Sequence, residues 1–454
     1  MRDMTTGSPL RRILAFFFPL LVGTLFQQFY NLADGVIVGR MLGTNAFAAV
    51  GSTGSLNFLV MGFALGVCSG FTIPIAQSFG AGDMAAVRRR CAQAIWLCVL
   101  TTVLIVSVTY FCTGWILRFT NTPENLYADA YTYISIIFMG SGALILYNMA
   151  ACVLRALGDS RTPLYFLVTA TILNIALDIF FMGPLGMGVE GAALATIIAQ
   201  MFSGLACLLY IRLRVPLLHL SRQDLRPNWR EMAHIAAIGV PMGLQFSITA
   251  IGSVTMQSAV NSLGETAVAA VSAGGKLNNL VCSPLEALGI TMATYCGQNL
   301  GAGRIDRIHK GMKQVMLLGL GYCAVALVTI LLCGASMATL FIDASETEVL
   351  MLAQRFLTIL VIAYPTLLVI FVFRNSLQGM GFSNAAMLAG LAELIGRVGA
   401  AFTMVQLWGF TGSVLGHVLA WVLANVVLIP LYLIKTRRLE RQQQLYQALN
   451  RGEK

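Results

Sequence analysis

Residues 13–39 read ILAFFFPLLVGTLFQQFYNLADGVIVG and contain a single carboxylate, Asp34, near their far end. A helix needs about 20 apolar residues to cross a hydrocarbon core of about 30 Å, so this stretch predicts a transmembrane helix. An ionised Asp inside such a helix costs about 2.5–3.5 kcal/mol, which a partner or a bound cation usually offsets. Because Arg40 follows soon after, the alternative is an Asp34 at the water interface. We favour a functional intramembrane acid.

The whole chain has the composition of a membrane protein. Of its 454 residues, 57% are hydrophobic and only 11% are charged, and the mean hydropathy is +0.79. A soluble chain carries about 25% charged residues. The opening MRDMTTGSPLRR leads directly into a full-length span, so no cleavable signal peptide is expected. The ten cysteines form no CxxC pair or Cys/His cluster and are interpreted as packing residues.

Hydropathy predicts twelve spans and therefore an all-α integral membrane protein. The approximate spans are 13–38, 46–73, 92–117, 130–153, 163–182, 191–211, 234–259, 267–295, 314–339, 349–373, 385–405 and 411–434. The predicted division is an N-terminal six-helix lobe over 1–211, a basic linker over 212–233, a C-terminal six-helix lobe over 234–434 and a basic tail over 435–454.

Basic residues mark one side of the membrane. Of the 29 lysines and arginines, 24, including Arg374, are assigned to the termini and to loops on one side. Only Arg40, Arg118 and Arg355 are assigned to the other side. The positive-inside rule then predicts that both termini lie in the cytoplasm and that the protein lies in the cytoplasmic membrane. Because topology accounts for the net charge of +10, no nucleic-acid partner is expected.

Three motifs recur at one constant distance. Each glycine motif of the first half reappears 221 residues later, in the pairs Gly43/Gly264, Gly80/Gly301 and Gly188/Gly409. Six spans per repeat is an even number, so the repeat predicts two six-helix bundles related by a pseudo-two-fold axis along the membrane normal. Such a pair is typical of an alternating-access carrier. The segment Gly80-Ala81-Gly82 lacks the Lys-Ser/Thr of a P-loop and is interpreted as a turn.

Four polar residues of the first half form the main candidate site. Asn174 and Asp178 are four apart and share one face of the fifth span, and Thr196 lies on the sixth span at a similar depth. Together with Asp34 they offer oxygen ligands suited to a small hard cation such as Na⁺. Alternatively, two neighbouring carboxylates out of water suit a proton carrier. For Asn174 and Thr196 alone, an interhelical hydrogen bond is an equal alternative.

The second half does not repeat this set. It has Glu286 on the eighth span, and Glu393 and Arg397 four residues apart on the eleventh. Glu393 and Arg397 can form an ion pair that lowers the cost of burying either group, and we interpret the pair as structural. Lys276 and His417 are weaker candidates.

The segments QQFYNLADGVIVGRMLG, QSFGAGD, CGQNLGAGR and NIALDIFFMGPLGMGVEGAALAT together resemble the multidrug and toxic compound extrusion (MATE) family over nearly the whole chain. The resemblance implies an antiporter that exports organic, often cationic and amphipathic compounds in exchange for Na⁺ or H⁺, with no other cofactor. In DinF-like bacterial members, the coupling ion binds at four positions that match Asp34, Asn174, Asp178 and Thr196. NorM-like members use acids on the seventh and tenth spans, which this sequence lacks.

Two other functions compete with this one. A lipid-linked oligosaccharide flippase of the same superfamily usually has further spans or a more basic cavity, whereas Lys276 and Arg397 are the basic residues well inside these spans. A membrane-embedded enzyme needs a nucleophile–base or metal cluster, which four dispersed histidines do not supply. We therefore expect a transporter of small organic molecules in the bilayer, not an enzyme, that functions as a monomer.

Overall fold

The computed structural model describes residues 3–119 and 123–450, and this part of the chain is helical with no strand. The helices are α1 (Pro9–Leu42), α2 (Thr44–Ser52), α3 (Gly54–Phe71), α4 (Ile73–Gly80), α5 (Met84–Phe119), α6 (Glu124–Met139), α7 (Ser141–Ala156), α8 (Arg161–Met182), α9 (Val189–Arg214), α10 (Trp229–Asn261), α11 (Glu265–Gly301), α12 (Ile305–Ala338), α13 (Thr347–Ile362), α14 (Tyr364–Gly379), α15 (Ser383–Phe402) and α16 (Met404–Asn450). The all-α prediction is confirmed. Arg2, Arg451 and Lys454 of the basic ends lie outside the described residues.

Each predicted span falls on one or more of these helices, and several helices extend well beyond the span, as α12 does at its start and α16 at its end. In the described ranges, nine helical segments are long and apolar enough to cross a membrane. Two bent pairs, α6–α7 (47°) and α13–α14 (53°), raise that number to eleven. The remaining predicted span, 267–295, lies in α11, a helix of 37 residues that carries Lys276 and Glu286 in its interior. Many side chains on α5 and α12 are apolar and exposed, as expected for helices that face hydrocarbon.

Two of the three recurring glycine motifs also repeat the backbone conformation, whereas the Gly188/Gly409 pair does not. Gly43 (φ 87°) and Gly264 (φ 96°) stand at the α1–α2 and α10–α11 junctions. Gly82 (φ 76°) and Gly303 (φ 67°) follow α4 and α11 in the same way. Side chains of L residues disfavour this left-handed region, so glycine allows the chain to turn at each junction. The interpretation of Gly80-Ala81-Gly82 as a turn is confirmed.

The chain divides into two compact units. The first contains Phe18–Ser247, and the second contains Met4–Phe17 together with the chain from Ile248 onward. The boundary between the two compact units therefore lies inside α10. The first part of α1 also belongs to the second unit.

Close packing between α3 and α10 explains why the start of α10 belongs to the first unit. A Cβ atom added to Gly70 would lie 2.4 Å from the Cα of Gly239, so glycine is required where the two backbones meet. Ser247 Oγ also donates a hydrogen bond to the carbonyl oxygen of Leu59 (3.2 Å).

The linker before α10 is fastened to α5 in the same unit. Gln93 accepts a hydrogen bond from the backbone N–H of Asn228 (2.9 Å) and donates to the carbonyl oxygens of Asp224 (3.1 Å) and Arg226 (3.0 Å). Within the linker, the hydroxyl and backbone N–H of Ser221 donate to the carboxylate of Asp224 and hold its pKa below the ordinary value. These contacts place the linker in the first unit.

The N-terminal segment, residues 4–8, is fastened to the second unit. The backbone N–H of Met4 donates to Gln298 Oε1 (3.0 Å). Arg307 is buried and donates to the carbonyl oxygens of Met4 (3.0 Å) and Gly7 (2.7 Å) and to Asn299 Oδ1 (2.9 Å). No carboxylate among the described residues forms an ion pair with Arg307. Backbone carbonyls of the N-terminal segment therefore solvate a buried guanidinium that would otherwise be costly.

Candidate functional site

Two acids of the first unit lie side by side. The carboxyl groups of Asp34, on α1, and Asp178, on α8, are within hydrogen-bonding range of each other. Asp178 is fully buried, and the Oδ1 atom of each acid is buried without a hydrogen-bond partner. Two ionised carboxylates in this position would repel each other with little water to screen them. Where water is excluded, the pair therefore favours a state in which a proton or another cation lies between the two carboxyl groups.

Asn174 orients Asp178 and connects α8 to α9. With its amide placed to satisfy both neighbours, Asn174 Nδ2 donates to Asp178 Oδ2 (3.0 Å) and its Oδ1 accepts the backbone N–H of Thr196 (3.2 Å). The Thr196 hydroxyl donates to the carbonyl oxygen of Ala192 (3.1 Å). The structure thus brings together the four residues that the sequence singled out, Asp34, Asn174, Asp178 and Thr196. Helical spacing explains the contact between Asn174 and Asp178.

Two tyrosines join this cluster, which we call the acid-pair site. The hydroxyl of Tyr30, on α1, is within hydrogen-bonding range of the Thr196 side chain. Tyr133, on α6, is buried close to both acids. Sequence reasoning missed both residues. Tyr30 precedes Asp34 by one helical turn and could have been found on that ground, whereas Tyr133 gives no comparable signal.

The chemistry of the acid-pair site favours binding over catalysis. No Lys, Arg or His in the described part of the chain forms an ion pair with Asp34 or Asp178. Nor do three His, Cys, Asp or Glu side chains converge there, or elsewhere in the described ranges, as a metal site. A buried acid pair with no fixed counter-charge is suited to a monovalent cation or a proton that comes and goes.

The second unit contains a different, charge-balanced group of side chains. The predicted ion pair is present: Arg397 Nη2 lies 2.5 Å from Glu393 Oε1, and the residues are 6% and 4% exposed. Arg397 Nη1 also donates to the carbonyl oxygen of Thr249 (3.1 Å) and to Ser253 Oγ (3.3 Å). These contacts fix α15 against α10.

Arg374 corrects the sequence analysis. It was assigned to a loop, but it lies inside α14, and its Nη1 is 3.5 Å from Glu393 Oε2. Glu286, on α11, is near enough to Arg374 to interact electrostatically. The assignment failed because hydropathy falls at the end of the span, whereas the helix continues to Gly379. Two acids and two arginines therefore form one network, called here the second-unit charge network. Lys276 lies elsewhere, over the ring of Phe341.

Comparison with known proteins identifies the family. The MatE family model matches residues 19–180 and 241–427, which is more than half of the chain. The chain belongs to the MATE family. It is 29% identical to "Probable multidrug resistance protein YpnP" of Bacillus subtilis (strain 168) over 84% of each chain. It is 31% identical to "Probable multidrug resistance protein YoeA" of the same organism over 78% of each chain.

A solved structure shows the same fold. The crystal structure of a MATE protein in complex with MaL6 matches with a TM-score of 0.90 at 21% identity and covers 97% of this chain and 99% of the other. The present MATE protein therefore has the twelve-helix, two-lobe fold of these transporters. It is a multi-pass membrane transporter of small molecules and not an enzyme, as expected. The relatives named for multidrug resistance do not favour the flippase alternative.

Proposed function

We propose that this MATE protein is a secondary antiporter that exports organic, cationic and amphipathic compounds across the cytoplasmic membrane in exchange for a cation bound by Asp34 and Asp178. The observation that carries the proposal is the contact between two carboxyl groups, one of them fully buried, without a basic partner in the described part of the chain. Such a pair needs a mobile positive charge.

The contacts of Asn174 support a proton as that charge. With the amide placed to satisfy both neighbours, its nitrogen faces Asp178 and its oxygen accepts the N–H of Thr196, so Asn174 presents a donor and not an oxygen ligand to the acid pair. Na⁺ would require several oxygen ligands and a reoriented Asn174. A proton requires only the two carboxyl groups, which already lie side by side.

Transport follows from the charge of the pair. When the site is open to water on the outer side, both acids can ionise and attract a cation. Once the cation is bound, the lobe closes without burying net charge, and alternating access of the two lobes carries the cation inward. After the cation is released, the ionised pair attracts a cationic drug on the inner side. Cation and drug thus weaken each other's binding by the same factor, which is reciprocal coupling.

Purified protein in liposomes tests the proposal. Ethidium transport is measured with a pH gradient or a Na⁺ gradient imposed across the membrane. We expect the pH gradient to drive transport by the wild type. Asp34→Asn and Asp178→Asn keep the side-chain volume, so they should fold but lose gradient-driven transport. Asp129→Asn, which removes an exposed carboxylate from α6 in the same unit, is the matched control and should transport normally.

Two results would contradict this scheme at different points. Near wild-type, gradient-responsive transport by Asp34→Asn or Asp178→Asn would exclude the acid pair and direct attention to Glu286. Transport driven by Na⁺ at equal pH on both sides, and lost in both variants, would retain the acid pair but exclude the proton as its cation.

A further inference from the structure

A long groove in the first unit is separate from the acid-pair site. It has a volume of about 990 Å³ and is formed by α5, α7, the last part of α9 and residues 218–220. Apolar side chains make up most of its wall, among them Ile95, Val99, Leu146, Met149 and Leu208. None of the residues of the acid-pair site lines it.

The groove is as long as one leaflet of a bilayer. Its wall runs along α5 from Cys91 to Val103 and along α7 from Gly142 to Val153. At a rise of 1.5 Å per residue, these stretches are about 16–18 Å long. One leaflet contributes about 15 Å to a hydrocarbon core of about 30 Å. The groove can therefore hold acyl chains along their length.

The groove opens on the exposed side of α5. Val99 is 49% exposed and Val103 is 59% exposed, although both belong to the wall. In a transmembrane helix, exposed apolar side chains contact lipid, so lipid can enter the groove sideways from the bilayer.

One end of the groove is basic. Arg212, in the last turn of α9, lines this end together with His219. The His219 ring is held against the helix end, with Nε2 2.7 Å from the carbonyl oxygen of Arg212. Arg212 is exposed, and no carboxylate in the described ranges pairs with it. An arginine at the end of a transmembrane helix suits a phosphate group, which its guanidinium can bind through two hydrogen bonds.

We propose that this groove binds an anionic phospholipid, with its acyl chains along α5 and α7 and its phosphate at Arg212. The apolar length accounts for the chains, and the basic end accounts for the headgroup charge. A free phosphate would use only the basic end, and an uncharged lipid or detergent would use only the wall. The site differs from the proposed transport site in position and in charge, so it does not depend on the proposed function.

Native mass spectrometry of the full-length protein tests the assignment. Palmitoyl-oleoyl phosphatidylglycerol and phosphatidylcholine are added to the protein in mild detergent, and retained lipid is counted for each. We expect the wild type to retain phosphatidylglycerol preferentially. R212Q should lower this retention about tenfold, because a charge-assisted contact is lost. The matched control is R214Q, which removes an exposed charge from the same helix end outside the groove and should bind as the wild type does.

A second pair of variants tests the apolar wall. V99W fills the groove and should reduce retention of phosphatidylglycerol, whereas L100W places the same indole at an exposed neighbour outside the groove and should not. V103W with L104W provides the same comparison one turn further along if V99W does not fold.

Four results would overturn the proposal. They are equal retention of the two lipids by the wild type, equal losses in R212Q and R214Q, undiminished retention in the wall variants, and displacement of the lipid by millimolar inorganic phosphate. The last of these would assign the basic end to a free anion.

Discussion

Removing Glu393 should damage the second-unit charge network more than removing Arg397. Glu393 lies between two arginines, with Arg397 at 2.5 Å and Arg374 at 3.5 Å. Glu393→Gln leaves both guanidinium groups facing a neutral side chain. Arg397→Gln leaves Glu393 paired with Arg374. The two substitutions at this ion pair are therefore expected to destabilise the protein to different extents.

The expected sizes follow from burial. Breaking a buried ion pair by removing one partner costs about 3–5 kcal/mol. For a unit of about 200 residues, each kcal/mol lowers Tm by about 2–4 °C, so Glu393→Gln should lower Tm by about 6–20 °C. Arg397→Gln loses hydrogen bonds of a charged group, about 1.5–3 kcal/mol, and should lower Tm by about 3–12 °C. The double variant should recover to about the level of Arg397→Gln, because it leaves one acid, Glu286, beside one arginine, Arg374, and the network is again balanced in charge.

Thermal unfolding in detergent, followed by loss of the monodisperse size-exclusion peak, measures these shifts. Arg304→Gln is the control, since it breaks the exposed ion pair with Asp306 in the same unit and should change Tm by about 4 °C or less. Equal shifts for Glu393→Gln and Arg397→Gln would refute the role of Arg374. A double variant that folds as well as the wild type but transports nothing would show that the network takes part in transport.

Two further predictions concern the termini and loops. Arg307→Gln should release the N-terminal segment and speed tryptic cleavage at Arg11 and Arg12, which follow that segment, because the substitution removes the donor that holds the carbonyls of Met4 and Gly7; Arg304→Gln should not, and equal cleavage rates would contradict the contact. Single cysteines at Arg89 and Arg226, in a background without the native cysteines, should resist an impermeant thiol reagent added to intact cells, because the positive-inside rule places both in the cytoplasm. Labelling of either cysteine from outside the cell would contradict the predicted orientation.

The acid-pair site was predictable because acidic residues are rare within the spans. Few acidic side chains occur within the spans, and each is costly there, so Asp34 and Asp178 were the acids of the first half available to form a site. The helical period added Asn174 to the same face. Tyr133 was not predicted because tyrosine is common both in apolar cores and at membrane interfaces. Its presence in a span therefore does not indicate a functional site by itself.

Contacts between distant parts of the chain could not be predicted in this way. Hydropathy locates helices but does not show what their ends touch, so Arg374 was taken for a loop residue although it pairs with Glu393. The 221-residue repeat shows which helices are alike, but it does not show to which compact unit each belongs. That depends on packing between Gly70 and Gly239 and on hydrogen bonds such as the one between Arg307 and Met4.

The attachment of the N-terminal segment to the second unit has a consequence for biosynthesis. Arg307, which holds the carbonyl of Met4, leaves the ribosome 303 residues after it. At about 5–20 residues per second, the segment waits about 15–60 s for this partner. The first repeat thus enters the membrane with its leading end unattached, and a ribosome that stalls between the repeats leaves a product whose first helix cannot complete its contacts. The segment around Met4 therefore reaches its final packing long after it is synthesised.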